Sequence, residues 1–182
     1  MDAIELLTRD HRHVEELFGQ FRSGSDEERR ASAERIIREL SIHAAIEEEL
    51  FYPAVRKQMP ACRALVDHGL DEHQQAKEIL AALDRMIDRS HTKAFADMVE
   101  LLEKTITDHV EEEEGELFPS VRDGFTKTAL NDLGTAMNKA KNDAPTRPHP
   151  HIPANQAAQV VVGRAAAVVD RMRDEVSGRG RH

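Results

Sequence analysis

The sequence predicts an all-α protein, an up-down-up-down four-helix bundle with additional C-terminal helices. Apolar residues recur at alternating steps of three and four along most of the 182 residues, which is the period of a helix with one buried face. No segment alternates convincingly between apolar and polar residues, as a half-buried strand would, and glycine is sparse. A chain of this length is sufficient for one domain with a sizeable core.

The first two predicted helices form a hairpin. The first covers about residues 2–22, and the second begins after a capping box in which Ser25 is the N-cap and Glu28 its partner. We expect the second helix to kink or end at Pro53, because proline lacks the amide proton that a helix interior needs. Each inward face contains one histidine: Ile4, Leu7, His11, Val14, Phe18 and Phe21 in the first helix, and Ile36, Leu40, His43, Glu47, Leu50 and Ala54 in the second.

A second predicted hairpin follows. Its first helix covers about residues 62–89, residues 90–92 form the turn, and the second helix ends near Gly124. Again each inward face contains one histidine: Val66, Gly69, His73, Ala76, Leu80, Leu83 and Ile87, and then Phe95, Met98, Leu102, Ile106, His109, Glu113, Leu117 and Val121.

The remaining residues are predicted to lie outside the bundle of residues 1–122. Residues 123–143 contain a further, weaker helix. Residues 144–153 contain four prolines and are predicted to form an extended connector. Residues 154–182 are predicted to form a C-terminal helix with a frayed tail. We expect this helix to cover the bundle or to mediate self-association, so that the protein is a monomer or a homodimer.

The two hairpins repeat one arrangement of histidine and glutamate. A histidine and the glutamate four residues later share one face of a helix, and a proline follows ten residues after the histidine in both copies. Burying such side chains is costly unless something satisfies them, and imidazole and carboxylate are both ligands of iron, manganese or zinc. The repeat therefore predicts one metal site shared by four helices, built from His11, His43, Glu47, His73, His109 and Glu113.

A shared site requires its ligands at one height along the bundle. His73 and His109 are about 16 and 17 residues from the turn between their helices, so both should lie roughly 25 Å from it. His11 and His43 agree less well, at about 12 and 18 residues from the turn at Gly24. We expect a longer loop or a helix tilt to absorb this difference.

Several other polar residues are interpreted as lying outside the site. Glu15, four residues after His11, is interpreted as a solvated acid or as an outer carboxylate behind a ligand. The glutamates next to Glu47 and Glu113 are assigned to solvated helix faces. The remaining histidines fall off the apolar faces or in loops and are interpreted as surface residues: His13, His68, His91, His149, His151 and His182.

Two further residues are close to predicted ligands in sequence. Tyr52 is rotated by about 180° from His43 on a regular helix, so no role is assigned to it. Lys77 is four residues after His73, where a ligand could have been, but a lysine does not coordinate at neutral pH.

Composition disfavours several other classes of protein. The net charge of −9 disfavours a nucleic-acid or an anionic-membrane partner. Cys62 is the only cysteine, which excludes an intramolecular disulfide and a thiolate-rich metal site. The N-terminal residues do not resemble a signal peptide, and no apolar run of about 18 residues could span a membrane. We therefore expect a cytoplasmic protein.

Together these motifs resemble the hemerythrin-like, or HHE cation-binding, domain over about residues 1–122. The motifs are DH, HxxxEE with LFYP, EH, and HxxxE with LFP. The resemblance implies a four-helix bundle that holds a non-haem di-iron centre, with two Fe ions joined by an oxo or hydroxo bridge. By position it implies four terminal iron ligands and two bridging carboxylates: His11, His43, His73 and His109, and Glu47 and Glu113.

The resemblance also bears on function. Oxygen-carrying hemerythrins have a second histidine in the third helix, four residues after the first, and this chain has Lys77 there. It is therefore closer to the members with four histidines and two glutamates, which are associated with responses to nitric oxide, peroxide or oxygen and with iron handling. We expect O2, H2O2 or NO to bind in oxidative or nitrosative stress defence, with catalase-like turnover as one form of that function. The alternatives are iron storage or gas sensing without turnover, or a bundle with buried polar pairs and no metal.

Overall fold

The computed structural model describes residues 1–151 and 164–177. Within these ranges every regular element is helical, as predicted. None of the described helices combines the length and the apolar character that a membrane-spanning segment requires. The α-helices are α1 (Ala3–Ser23), α2 (Asp26–Ile46), α3 (Tyr52–Gln58), α4 (Arg63–Arg85), α5 (Lys93–Glu112), α6 (Phe118–Gly124), α7 (Lys127–Ala140) and α8 (Arg164–Ser177).

Four of these helices, α1, α2, α4 and α5, form the bundle. Helix α1 packs along α2, α4 packs along α5, and α2 also contacts α4. Side chains cap the N-termini of α1, α2 and α5. Asp2 and Glu5 form a capping box at α1, and Ser25 and Glu28 form the predicted one at α2. These caps satisfy amides that have no partner within the helix, so both helices begin at defined residues.

The core of the bundle consists of two apolar clusters. The Phe95 cluster includes Val14, Phe18, Ile37, Leu40, Ala76, Leu80, Phe95 and Leu102. The Phe51 cluster includes Leu7, Ile46, Phe51, Val66, Leu117, Phe118 and Val121. On each bundle helix the predicted histidine lies between a residue of one cluster and a residue of the other, so the polar side chains are enclosed by apolar packing on both sides.

The two hairpins place their histidines equivalently. His11 and His73 each precede the end of their helix by 12 residues, whereas His43 and His109 follow the start of theirs by 17 and 16 residues. Helical side chains point towards the N-terminus of their own helix, which brings the two rings of a hairpin together. The expectation of a special offset in the first hairpin is wrong, because it counts loop residues as helical rise. The longer loop, residues 86–92, is in the second hairpin.

One turn of π-helix extends both α2 and α5. Glu47–Phe51 joins α2 to α3, and Glu113–Leu117 joins α5 to α6. In each turn the amide of the next residue donates to a carbonyl five residues back. Pro53 and Pro119 then occupy the first turn of the following helix, where a missing amide proton is tolerated. The second helix therefore does not end at Pro53, which was one of the two predicted outcomes, but continues through a wider turn.

The residues after the bundle pack against it. Helix α7 lies along α1, and a Cβ atom at Gly134 would lie 2.6 Å from the backbone of Asp2, so the absent side chain permits the close approach. The proline-rich stretch forms no regular helix or strand up to residue 151. The predicted start of the last helix at residue 154 and its tail at residues 178–182 lie outside the described residues.

Candidate metal centre

The four predicted histidines meet in the middle of the bundle. The rings of His11 and His43 form one pair, with centroids 4.9 Å apart. The rings of His73 and His109 form a second pair, with centroids 4.8 Å apart. None of the four residues is more than 6% exposed. The hairpin of α1 and α2 therefore supplies one pair, and the hairpin of α4 and α5 supplies the other.

The two predicted glutamates lie between these pairs. Oε2 of Glu47 is 3.0 Å from Nε2 of His43 and 3.2 Å from Nε2 of His73. The corresponding oxygen of Glu113 lies 3.5 and 3.6 Å from the Nε2 atoms of the other two histidines. Each carboxylate thus reaches one histidine of each pair. This is the arrangement that a carboxylate bridging two cations requires.

Several of these inward-facing atoms have no hydrogen-bond partner among the described residues. They are Nε2 of His11 and of His43, both oxygens of Glu47, and Oε2 of Glu113. Leaving a buried polar atom unsatisfied costs about 1–3 kcal/mol, so a group of five indicates that a cation belongs between them.

The buried potential ligand atoms of the described residues fall into two groups that share Glu47, and a third group, His68, Glu72 and Glu112, lies nearer the surface. Within each group every atom lies within 4.8 Å of the others. Nitrogen and oxygen donors of this kind suit iron, manganese or zinc, and two overlapping groups fit two adjacent ions. The first group is His11, His43, Glu47 and Glu113, and the second is Glu47, His73 and His109.

Each histidine has a carboxylate behind it, facing the ring nitrogen that points away from the centre. A hydrogen bond of this type fixes the orientation of the ring and leaves the other nitrogen for a metal. From Nδ1 to the carboxylate oxygen the hydrogen-bond distances are 2.8 Å for His11 and Glu114, 3.1 Å for His73 and Glu48, and 2.8 Å for His109 and Glu72. Asp10 lies 3.7 Å from Nδ1 of His43, which is an ion-pair distance without a hydrogen bond.

These four outer carboxylates form a closed ring around the bundle. Asp10 and Glu72 directly precede a predicted ligand in sequence, and Glu48 and Glu114 directly follow one. Each bundle helix therefore supplies an inward ligand together with a neighbour that reaches a histidine of the next helix. Helical periodicity missed this role, because adjacent residues point about 100° apart. The signal was present in the DH, EE and EH pairs of the motif.

Three outer carboxylates also contact a cationic side chain. Asp10 contacts Lys141, and Glu114 contacts Arg12. The ammonium of Lys77 is 2.6 Å from both oxygens of Glu48, which is only 2% exposed. The assignment of Glu48 to a solvated helix face is therefore wrong. Lys77 does not replace a ligand but binds the carboxylate that orients His73.

Tyr52 lies in the site, contrary to the interpretation that gave it no role. Its hydroxyl donates to Oε1 of Glu113 at 2.9 Å and lies 3.5 Å from Nε2 of His73. The additional residue in the π-helical turn reduces its rotation from His43 from about 180° to about 80°. A Cβ atom at Gly69 would lie 2.9 Å from this hydroxyl, so glycine there leaves the space that Tyr52 occupies.

The residue equivalent to Tyr52 in the second hairpin is Phe118. Its ring stacks on His11, with an interplanar angle of 7° and centroids 5.8 Å apart. The two ends of the repeat thus place an aromatic ring against one histidine of each pair. Only one of these rings has a hydroxyl group that can donate a proton.

Burial and charge shift the pKa values within the site in opposite directions. Burial disfavours charge on His43 and His73, but the neighbouring carboxylates together outweigh it, Glu47 with Asp10 at His43 and Glu47 with Glu48 at His73, and raise the pKa values to about 10 and about 9. Burial and the neighbouring His43 lower the pKa of His11 to about 3. Burial and the charge of Glu47 raise the pKa of Glu113 well above its usual range. A cation would displace protons from several of these ligands.

A small cavity lies beside the histidines, on the side of the Phe95 cluster. All four histidines and Lys77 line it, together with apolar side chains that include Val14, Leu40, Leu80, Ile106 and Val110. Its volume is about 20 Å³, which is room for about one water-sized molecule. The arrangement can therefore hold a diatomic or similarly small molecule next to the metal ligands.

The remaining predicted residues lie mostly outside the site. Glu15 is exposed and lies 3.6 Å from Arg12, as a solvated acid would. His68 is exposed and lies 3.2 Å from Glu112. The interpretation of His149 as a plain surface residue is wrong, because it is half-buried and its Nε2 is 2.9 Å from a carboxylate oxygen of the fully buried Asp170. His182 lies outside the described residues.

A family model and two named proteins match the chain. The model of the hemerythrin HHE cation-binding domain matches residues 2–121. An uncharacterized hemerythrin-like protein of Schizosaccharomyces pombe is 23% identical over 172 residues, which are 93% of this chain and 84% of that protein. A DNA nickase of Nostoc sp. is 27% identical over 143 residues, which are 78% of this chain but only 40% of that protein. No solved structure gives a significant match.

Proposed function

Because the chain belongs to the hemerythrin HHE cation-binding family, we propose that its buried cluster holds two iron ions and that the protein binds or reacts with O2, H2O2 or NO. The proposal rests on one observation. The carboxylates of Glu47 and Glu113 each lie within 3.6 Å of one histidine of the first pair and one histidine of the second. Two carboxylates in this position hold two cations together and offset their mutual repulsion.

In this proposal each hairpin provides the terminal ligands of one ion. His11 and His43 bind one ion, and His73 and His109 bind the other, each through Nε2. The outer carboxylates accept from Nδ1 and keep the rings in that orientation. When bound, the two irons supply a redox-active centre with an open position for a small ligand.

The surroundings of the site support a small, uncharged ligand. The cavity of about 20 Å³ has largely apolar walls and no space for an organic substrate. Tyr52 holds a proton at its hydroxyl oxygen, 2.9 Å from Glu113, where it can stabilise added negative charge or supply that proton. These features favour dioxygen, peroxide or nitric oxide in oxidative or nitrosative stress defence, including catalase-like consumption of peroxide.

Iron storage or gas sensing without turnover is the alternative. Storage of many ions has little support, because the cavity beside the ligands admits about one water-sized molecule. A gas sensor would use the same arrangement of residues as an enzyme, and only turnover of the ligand would distinguish the two functions.

The proposal is tested on freshly purified protein by metal analysis, an absorption spectrum and an assay of peroxide consumption. We expect about two irons per chain and near-ultraviolet absorption bands of a di-iron centre. Oxygen release from added peroxide would establish the enzymatic form, and gas binding without oxygen release would establish the sensing form. A protein that binds no iron after anaerobic loading would contradict the proposal.

A further inference from the structure

We propose that small ligands reach the metal site through an opening between α1 and α5, and that Val14, Ile106 and Val110 form the partition that admits them by size. This inference rests on the proposed function, because it concerns the ligand of the same site. The surface groove between these two helices would then have a function that metal binding alone does not require.

The opening is a groove on the surface of the bundle. Its volume is about 570 Å³, and its walls come from residues 11–22 of α1 and from residues 103–115 of α5 and the π-helical turn after it. Two ion pairs cross the groove from α1 to α5, Arg12 with Glu114 and Arg22 with Glu103. Both glutamates and both arginines are at least partly exposed, so these pairs can open without a large cost.

The groove and the inner cavity share a wall. His11, Val14, Ile106 and Val110 line both of them. Val14 is buried, whereas Ile106 and Val110 are half-buried and therefore contact the groove as well. The wall between the groove and the cavity therefore consists of these three apolar side chains and the ring of His11.

The other walls of the cavity are buried or contain ion pairs. Leu40 and Leu80 are buried in the Phe95 cluster, whereas Ile106 and Val110 of the partition are half-buried. The two partly exposed polar residues of the cavity wall are engaged in ion pairs, Lys77 with Glu48 and Asp10 with Lys141. Passage beside Lys77 would displace its ion pair with Glu48, a carboxylate only 2% exposed. Arg12 and Glu114, which cross the groove, are more exposed, and passage between the three apolar side chains of the partition requires only side-chain rotation.

The side chains of the partition should also select ligands by size. Rotation of valine and isoleucine side chains opens gaps for molecules of two or three atoms within nanoseconds. Larger or strongly hydrated molecules would have to lose water at an apolar wall, which is unfavourable. The side chain at residue 106 should therefore set the rate of ligand binding without changing the bound state.

The first test measures the rate at which nitric oxide, an uncharged diatomic molecule, binds to the reduced, iron-loaded protein by stopped-flow absorption. Ile106→Ala and Val110→Ala widen the partition and should raise the association rate several-fold, whereas Ile106→Phe should lower it by a similar factor. Iron content and the spectrum of the nitric-oxide-bound protein should not change. Leu80→Ala is the matched control, because it removes volume from the opposite wall and should leave the association rate near that of the wild type.

The second test needs no iron. The chain contains one tyrosine and no tryptophan, so its emission comes from Tyr52, whose hydroxyl lies at the site. Quenching of this emission by dissolved dioxygen, in metal-free protein with the helix content of the loaded form, should be faster in Ile106→Ala and slower in Ile106→Phe.

The two tests separate failure of the route from failure of the proposed function. Unchanged nitric oxide and quenching rates in both Ile106 variants would overturn the route, whatever the protein binds. Equal acceleration by Leu80→Ala would also overturn it, because the rate would then depend on cavity volume. A protein that fails to bind iron, but shows the expected order of quenching rates, would retain the route and lose the proposed function.

Discussion

At the scale of single residues, the site depends on neighbours that point in different directions. Glu47 faces the histidines, and Glu48 reaches the outer nitrogen of His73. Glu113 and Glu114 divide the same two tasks at the end of α5. Each pair of adjacent glutamates therefore supplies one carboxylate that lies between the histidines and one that contacts the outer nitrogen of a ring, and the members of a pair are not interchangeable.

Removal of a bridge should be more damaging than removal of the residue beside it. Glu113→Ala should lower iron content and melting temperature together, the latter by several degrees, because Glu47 alone would then join the two ions. Glu112→Ala is the control: its side chain is 30% exposed and contacts His68. Iron analysis and thermal melting decide the outcome, and equal losses in both variants would show that the inward assignment of Glu113 is wrong.

The inward histidines should be separable from their neighbours by the same measurement. His11→Ala and His73→Ala should each lose iron, because each removes a terminal ligand of one ion. His13→Ala and His68→Ala should retain about two irons per chain, since neither ring contacts the two ligand groups. Loss of iron in His13→Ala with retention in His11→Ala would contradict the orientation of α1.

Lys77→His tests whether the missing fifth histidine keeps a position open. Lys77 lines the same cavity as His73, so a histidine there should fill a coordination position and shift the absorption spectrum towards that of an oxygen-carrying hemerythrin. Any consumption of peroxide should fall. The same change removes the ammonium from Glu48, so Lys77→Met serves as the control for that loss. Identical spectra and peroxide rates in wild type and both variants would contradict the explanation.

At the scale of elements, the spacing of apolar residues predicted the regular helices and the side chains that they direct inward. The four bundle helices and the six inward side chains follow from steps of three and four along the sequence. The prediction fails after Glu47, where the π-helical turn adds one residue. Leu50 and Ala54 were expected to point inward and are only half-buried, whereas Tyr52 is 1% exposed. The position of such a turn depends on hydrogen bonds that the spacing of apolar residues does not contain.

Deletion of one residue from this turn should leave everything after it in place. Without Glu49 the turn would become regular helix, and Tyr52, then eight residues after His43, would keep its rotation of about 80° from that histidine. Stability in denaturant and tyrosine emission should therefore stay close to those of the wild type. Insertion of one alanine after Glu49 should instead rotate Tyr52 by about 100° and move Phe51 out of the core, with a loss of about 3–5 kcal/mol in the free energy of unfolding. Equal losses in the two variants would contradict the interpretation that the turn accommodates one extra residue.

At the scale of the whole molecule, Arg147 joins the C-terminal region to the bundle. Its guanidinium donates to Asp84 of α4 at 3.0 and 3.1 Å and to Asp174 of α8 at 2.9 Å. This side chain therefore links two elements that are far apart in sequence. The metal ligands lie elsewhere, so the C-terminal contact should be separable from metal binding.

Arg147→Met should loosen α8 and leave the metal site intact. Hydrogen exchange within residues 164–177 should become faster, because the substituted side chain keeps its volume but loses its charged hydrogen bonds. Iron content should be unchanged. Arg173→Met is the control, since Arg173 is exposed on the same helix. Equal exchange rates in the two variants would show that Arg147 does not hold α8.

The ring of outer carboxylates has a consequence for how such a protein can be assembled. Two of its contacts lie within a hairpin, those of Asp10 with His43 and of Glu72 with His109, and the other two join one hairpin to the other. A single hairpin with one set of these residues could therefore complete the ring with a second copy of itself around a two-fold axis. The chain has the internal symmetry of a homodimer whose halves are linked covalently. That symmetry is broken where one half has Tyr52 and the other Phe118, so the centre has one proton-donating side and one apolar side.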